Sequence, residues 1–444
     1  EPRLTRNEEE RTTTRTWTVG RTGRIEREPA QPPLREIGPT LQVSTYATWQ
    51  EFGTWYANLI RHQSEPDDAI RAKVEDLTQG CTNEQEILQA LYGFVANGIE
   101  YRAWEFGIHG WNPYTASQVL SNGFGDCKDK ANLLATMLRL KGIDACPVLI
   151  HSEEEGRAEE DLTLPLIEHF NHCIARARLA DGRTLWLDGT AQDHPWDALP
   201  DMDQGATVFV VTPDGGSIER LPERAAADCA CEASFDAVVG EDLAAVVEVR
   251  IHATGTRGAI LRNVLNVEGH RQEILENLHG RRFPGCRVEL GAFPDLDDLS
   301  APVDLRYTLR IPGLLRPDGP SRWRLPLLED FFLMDTFSDM AQLPDREHDL
   351  LLGPPWQSTT AATVRLPPSL SFASPGACAE ILEPAAECRL TRETPSPTLL
   401  RMEQRVSFLA SRIRRGDYAA FRSACNRADE ARRAEPVIER ARAE

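Results

Sequence analysis

The chain has 444 residues, 41% hydrophobic and 27% charged, which is globular material for two to four domains and too apolar for wholesale disorder. A formal net charge of −20 argues against a nucleic-acid partner, which demands a basic face, and against a polybasic membrane-surface protein. No run approaches the roughly 18 apolar residues of a spanning helix, so no integral membrane segment is expected in this chain.

The opening EPRLTRNEEER has neither an initiator Met nor an apolar stretch and reads as a processed or trimmed product. Residues 1–60 read as an N-terminal β remnant and linker, from the β-branched TTTRTWTVG and the Pro-rich REPAQPPLREIGPT. From about residue 65 the period changes to that of helices. DDAIRAKVEDL carries apolar residues at 70, 74 and 77, and Thr82-x-x-Gln85 reads as a capping box before a stripe at 87, 88, 91, 94 and 95. ASQVLSN after Thr115 predicts a short helix, and ANLLATMLRLKG a further one stopped by Gly142. The strands ACPVLI, HFNHCIARARL, TLWLDG and ATVFVVT follow. Helices first and an antiparallel sheet afterwards is an α+β order, taken here as a core over 61–225.

Beyond that core, period-2 alternation takes over. Val247, Val249 and Ile251 oppose Glu248, Arg250 and His252, and Val303, Leu305, Tyr307, Leu309 and Ile311 oppose polar neighbours. Such alternation predicts half-buried antiparallel strands and a β-sandwich over 226–395, with a helical insertion at about 256–280. A strand-like LLRMEQRVSF and an amphipathic helix led by Asp417 fill 396–444.

The chemistry is expected in Gly123-Phe124-Gly125-Asp126-Cys127-Lys128-Asp129-Lys130-Ala131. Two glycines allow a tight backbone approach. Cys127 falls in the first turn of the next helix, where the dipole and unpaired N–H groups favour a thiolate. Asp126 reads as the cap of that helix, and Lys128, Asp129 and Lys130 as its solvated start. Only four lysines occur in the chain, at 73, 128, 130 and 141, so two of the four stand beside this cysteine.

A cysteine nucleophile needs a base and a group that orients the base. Asn171-His172-Cys173-Ile174 lies on one strand and Leu185-Trp186-Leu187-Asp188 on the next, joined through Ala180-Asp181-Gly182. A two-residue turn would put His172 and Asp188 on opposite faces. A three-residue loop with Gly182 left-handed pairs 174 with 188 and makes them diagonal neighbours on one face. The three-residue loop is the prediction.

These segments resemble those of bacterial transglutaminase-like proteins, which have a papain-like core. Gly-Asp-Cys-Lys-Asp-Lys-Ala resembles that family's nucleophile motif, Asn-His its base, and Trp-Leu-Asp-Gly-Thr its Asp strand, with Gly189 where a proline is usual. The likeness is strong over 80–222. It extends weakly to Trp49 and Trp55, which resemble the end of a preceding β domain, and to Leu-Pro-Asp-Met-Asp-Gln-Gly-Ala-Thr-Val and the closing Arg-Arg-Gly-Asp-Tyr.

The resemblance implies a transglutaminase-like core of helices packed on an antiparallel sheet, followed by the β-sandwich domain and C-terminal helix. It implies Cys127 as nucleophile, His172 as general base and acid, and Asp188 as orienting carboxylate. The implied reaction is acyl transfer on protein or peptide amides through a thioester. Amide hydrolysis by a cysteine peptidase is the alternative, and an inactive scaffold is the alternative of another class. Oxyanion donors are sought at the Cys127 N–H and, by position alone, at Tyr101 and Trp104.

No cofactor is expected. His169 and His172 form an H-x-x-H that a strand would point to opposite faces, and no metal site is expected. Cys146 and Cys173 read as packing residues. Export to a periplasmic or cell-surface location is implied by the resemblance together with the missing start, with a cytoplasmic location as the alternative.

Overall fold

The computed structural model describes residues 3–7, 12–103, 107–153, 157–160, 162–330, 332–333 and 336–441. An antiparallel hairpin, β1 (Arg3–Asn7) and β2 (Thr12–Thr16), opens the chain. After a single helical turn, α1 (Leu34–Ile37), the segment that resembles the end of a β domain is helical: α2 spans Trp49–Ile60. Thr48 caps it by accepting from Glu51 N–H, and Phe52, Tyr56 and Ile60 recur at helical spacing on the buried side. Helical geometry overrides the β-favouring aromatics because Phe52 and Tyr56 share the buried face, while Trp55 stays exposed.

Three helices then build one side of the core: α3 (Asp68–Leu77), α4 (Glu84–Gly98) and α5 (Ala116–Asn122). The cap of α4 lies one residue later than expected. Asn83 accepts from Glu86 N–H, and the Glu86 carboxylate reaches back to Thr82 N–H at 2.6 Å. Two short parallel strands, β3 (Glu100–Tyr101) and β4 (Phe124–Gly125), deliver the chain to α6 (Cys127–Leu140).

Helix α6 is buried from Cys127 to Leu138. Ile70, Val74, Leu88, Leu91 and Val95 pack on it from the helices, and Ala175, Ala177 and Leu187 pack on it from the sheet. That sheet is antiparallel in the order β7 (Thr184–Leu187), β6 (His172–Arg178), β5 (Asp144–Ile150), β8 (Thr207–Thr212), β9 (Gly215–Arg220). The α+β order is that of a transglutaminase-like core, with α6 as the central helix.

The C-terminal part contains an eight-stranded sheet ordered Arg287–Leu290, Val303–Ile311, Ala245–Ala253, Ala230–Val239, Trp356–Arg365, Leu399–Phe408, Ala386–Ser396, Ala379–Glu383. A smaller sheet containing Leu370–Ser374 and Val437–Arg440 packs against it, Leu370 and Ile438 sharing one core with Val247, Val249, Ile251, Leu305 and Tyr307. The alternating strands bury their apolar side as expected. One pair departs from the antiparallel expectation: Ala230–Val239 runs parallel to Trp356–Arg365. Parallel neighbours need a long crossover, and here the whole stretch from 240 to 355 supplies it. The helical insertion is present as Gly255–Leu265 and Arg271–Gly280, and a final helix spans Tyr418–Arg433.

The N-terminal segment ties both parts together. Glu36 pairs with Arg412 at 2.7 Å, Arg35 with Glu153 at 2.6 Å, and Leu351 N–H donates to Ala30 O at 2.8 Å. Among the described residues no helix is long and apolar enough to cross a membrane.

Candidate active site

Cys127 opens α6, with Asp126 as its N-cap. Asp126 accepts from Asp129 N–H while the Asp129 carboxylate accepts from Asp126 N–H at 3.1 Å, a reciprocal capping box. Asp129 also accepts from Tyr114 N–H at 2.8 Å, which ties the helix start to the segment entering α5. A glycine is required at 125: a Cβ there would stand 2.7 Å from Asp129 Cβ. The helix tip and the strand before it therefore interlock with no room for a side chain.

The expected solvated helix start is wrong. Lys128, Asp129 and Lys130 are 5%, 2% and 0% exposed. Lys128 Nζ pairs with the Asp126 carboxylate. Lys130 Nζ donates to Ala96 O at 3.1 Å and Ile99 O at 2.6 Å, the last carbonyls of α4. A cation at a helix C-terminus meets the negative end of the dipole and satisfies acceptors that the helix itself cannot. Burial nevertheless pulls the Lys130 ammonium down to about 8, with the Asp188 charge opposing it.

The register of the β6–β7 hairpin is the one predicted. Ala175 pairs with Leu187 and Arg178 with Thr184, so the sequence continues to 174 opposite 188. Leu179 N–H bonds Arg183 O at 2.9 Å, leaving Ala180, Asp181 and Gly182 as the three-residue loop, with Gly182 at φ +89°. His172 and Asp188 are then diagonal neighbours on one face, and His172 Nε2 lies 3.2 Å from Asp188 Oδ2. The other oxygen, Asp188 Oδ1, accepts from Thr190 N–H at 2.8 Å and Thr190 Oγ1 at 2.7 Å. The proline missing at 189 is thus not needed to hold the carboxylate.

The Cys127 thiol lies close enough to the imidazole to bear on its charge. Burial works to lower the His172 pKa, but the Asp188 charge, the hydrogen bond to Asp188 and the neighbouring Cys127 hold it well above the usual histidine value. Burial likewise works against the Asp188 anion, and His172 with Thr190 overcomes it, holding the carboxyl down at about 2. The two shifts are one interaction seen from both ends: Asp188 favours a proton on the imidazole and the imidazole favours the charged carboxylate.

Cys127 shares one apolar cluster with Phe52 and Tyr56 of α2, Phe170, Cys173 and Phe209. Cys127 itself is 8% exposed. Cys146 and Cys173 are buried packing residues, and burial pushes the Cys173 thiol well above the ordinary value. All ten cysteines are free. His169 lies in a 3-10 turn rather than on the strand, bonded through Nε2 to Leu164 O at 3.0 Å. Tyr101 pairs with Gly125 across β3 and β4, which brings its backbone near the helix tip, and the residue is 44% exposed. Trp104 lies outside the described residues.

One residue of this cluster was not foreseen. Asp203, on a 3-10 turn at Asp201–Asp203, is fully buried against the pair. His172, Asp188 and Asp203 offer ligand-type atoms within 4.8 Å of one another, which among the described residues is the one such group close enough to hold a metal ion. The sequence signal for Asp203 was slight: an acid inside Leu-Pro-Asp-Met-Asp-Gln-Gly-Ala, where the chain turns back into a core strand.

Residues 71–187 match the family model described as the transglutaminase-like superfamily, and this stretch is a transglutaminase-like domain. No curated protein matches the chain at a significant level. Among solved structures, a Parabacteroides distasonis protein described as a "putative protease" is similar over 99% of this chain and 68% of its own, at 14% identity with a TM-score of 0.59. That likeness is one of fold. A Cytophaga hutchinsonii protein described as a "putative cysteine protease" matches 30% of this chain and 42% of its own, at 17% identity and a TM-score of 0.22, too low to carry argument. The domain and its fold support a cysteine-dependent peptidase or acyltransferase in the broad sense.

Proposed function

We propose that the protein performs cysteine-dependent acyl transfer on protein or peptide amides, with Cys127 as nucleophile, His172 as base and then acid, and Asp188 as the carboxylate that orients and charges the imidazole. The observation that carries this reading is the buried His172–Asp188 contact at 3.2 Å, with Cys127 beside the imidazole at the first position of α6. His172 takes the thiol proton, the sulfur attacks the amide carbon, a C–S bond forms as the C=O π bond opens, and the carbonyl oxygen takes the negative charge. The Cys127 N–H, at the first position of α6, is one of the helical N–H groups that no helical carbonyl can satisfy and is aimed outward from the tip. Collapse breaks the C–N bond, and the imidazolium proton leaves with the amine. Water or a second amine, deprotonated by His172, then attacks the thioester and returns the thiol.

Water gives a peptidase or amide hydrolase, and an amine gives a transglutaminase-type product. The fold neighbour described as a protease lends weight to the hydrolytic outcome, at the level of fold. The reading is tested by mass spectrometry of glutamine peptides incubated with a labelled primary amine, using wild type and Cys127→Ala. Amine incorporation identifies transamidation and chain cleavage identifies proteolysis. Either should fall by about a thousandfold or more in the variant. Turnover that survives Cys127→Ala would remove the cysteine from the chemistry.

A further inference from the structure

We propose that Asp203 is a positioning residue of this centre: a neutral carboxylic acid whose O–H donates to the Asp188 carboxylate and fixes the oxygens that hold His172. The inference rests on the reading of Cys127, His172 and Asp188 given above, and extends it by one group. Asp203 Oδ1 accepts from Ser152 Oγ, but no N–H or O–H donor reaches Oδ2. What the side chain faces instead is the His172–Asp188 pair, a ligand-type atom of each of the three residues lying within 4.8 Å of the others. Two carboxyls that close in a dry site strongly disfavour a double negative charge, so one of them holds a proton.

The surroundings decide which carboxyl keeps the proton. Asp188 has the imidazole on one oxygen and Thr190 on the other, so its anion is the better stabilised. The groups facing Asp203 are Asp188 at the end of β7, His172 on β6, Ser152 just beyond β5 and the phenol of Tyr92 on α4. Burial and the Asp188 charge push the Asp203 carboxyl up to about 7, against the pull of His172 and Ser152. Neighbouring acids whose environments drive them apart divide into a charged and a neutral role.

The turn that carries Asp203 is held in place from both parts of the molecule. Met202 O accepts from Arg157 Nη2 at 2.6 Å and Glu153 N–H at 3.0 Å. Asp201 accepts from Arg224 Nη1 at 2.6 Å and from Thr256 Oγ1 at 2.7 Å, the latter on the first turn of the Gly255–Leu265 helix. A carboxyl on a surface loop would wander, and this one is fastened.

The test is the rate at which iodoacetamide alkylates Cys127, read site by site by mass spectrometry with exposed Cys378 as internal reference. Asp203→Ala is expected to slow Cys127 about tenfold, the scale of lost support behind a functional group. Asp203→Asn keeps an N–H donor toward Asp188 and is expected to recover most of that loss. Because the amide cannot ionise, the ratio of wild-type to Asp203→Asn rates should fall about threefold between about pH 6 and about pH 8.5. Circular dichroism and melting confirm that both variants fold. An Asn variant as slow as Ala, a ratio flat with pH, or one equivalent of metal per purified chain would overturn the assignment. His172→Ala separates the two readings. If it leaves the Cys127 rate untouched, the underlying catalytic reading fails and this one with it. If it slows Cys127 while Asn and Ala at 203 behave alike, only the role of Asp203 fails.

Discussion

The tip of α6 and the central strands of the C-terminal sheet are both rich in charge, yet they use it in opposite ways. Along Ala245–Ala253 and Val303–Ile311 every second residue is apolar and buried, and the charges between them face solvent. Along Asp126–Lys130 five consecutive residues, four of them charged, are all buried. The strand charges solubilise one face of a half-buried element. Those at the helix tip replace water as hydrogen-bond partners for backbone groups: Asp126 and Asp129 for N–H groups at the tip, Lys130 for the carbonyls ending α4. Charge in a sequence marks surface only where the element has a solvent side. Where it has none, each charge must be argued partner by partner.

The comparison is most easily broken at Lys130. In Lys130→Met the carbonyls of Ala96 and Ile99 lose their donor, at about 1–3 kcal/mol for each orphaned group. Relief from burying an ammonium offsets part of this. The expected net loss is about 2–4 kcal/mol in urea unfolding at neutral pH. The difference between wild type and variant should also depend on pH, with a definite sign. The Lys130 pKa falls from the ordinary 10.5 to about 8 in the folded chain. Between those values the unfolded chain holds a proton that the native chain has released, so wild-type stability rises relative to the variant by up to about 1.4 kcal/mol per pH unit. Below and above that window the difference should be flat. A flat difference throughout would mean that Lys130 reaches water.

Asp129→Ala probes the same tip with a smaller effect. Two backbone N–H groups, of Asp126 and Tyr114, lose their acceptor. Against that, Asp129 is itself under load: burial and the neighbouring Asp126 charge push its carboxyl up to about 6. Removing it relieves that repulsion, so the expected cost is that of a lost cap, about 1–2 kcal/mol. A thermal melt at pH 7 reads it. A loss above that of Lys130→Met would reverse the ranking and shift the weight of the tip from the lysine to the capping box.

The same contrast explains what could be read from the sequence. The alternating strands, the helix at 127–140 and the β6–β7 register were legible because each follows from a repeating geometry: period 2, period 3.6, or a loop length that sets pairing. From the register came the His172–Asp188 contact, two residues sixteen apart whose meeting depends on one glycine in a left-handed turn. The burial of Lys128 and Lys130 was illegible because no local pattern states that α6 is enclosed on every side; that depends on α4, α5 and the sheet closing around it. Helix α2 was missed because its aromatics carry β propensity, and only the tertiary face shared by Phe52, Tyr56 and Ile60 makes the segment helical. Asp203 was missed because a lone acid before a core strand has no period at all.

The smallest effect is expected where the charges do face water. Arg250 and Arg306 stand directly opposite each other on neighbouring strands, both exposed. Like charges so placed repel, and a β-branched residue suits a pleated surface. Arg306→Thr removes the repulsion but also a diagonal attraction to Glu248, which lies opposite Thr308 in the same register. The diagonal partner is farther away than the direct one, so the net change should be stabilising and no more than about 0.5 kcal/mol. Matched urea curves for wild type and variant, repeated in high salt, would measure it, and the gain should shrink as salt screens the pair. A cost of about 2 kcal/mol, the size expected at Lys130, would mean that this face is covered rather than solvated. The division between a working tip and a solubilising sheet would then no longer hold.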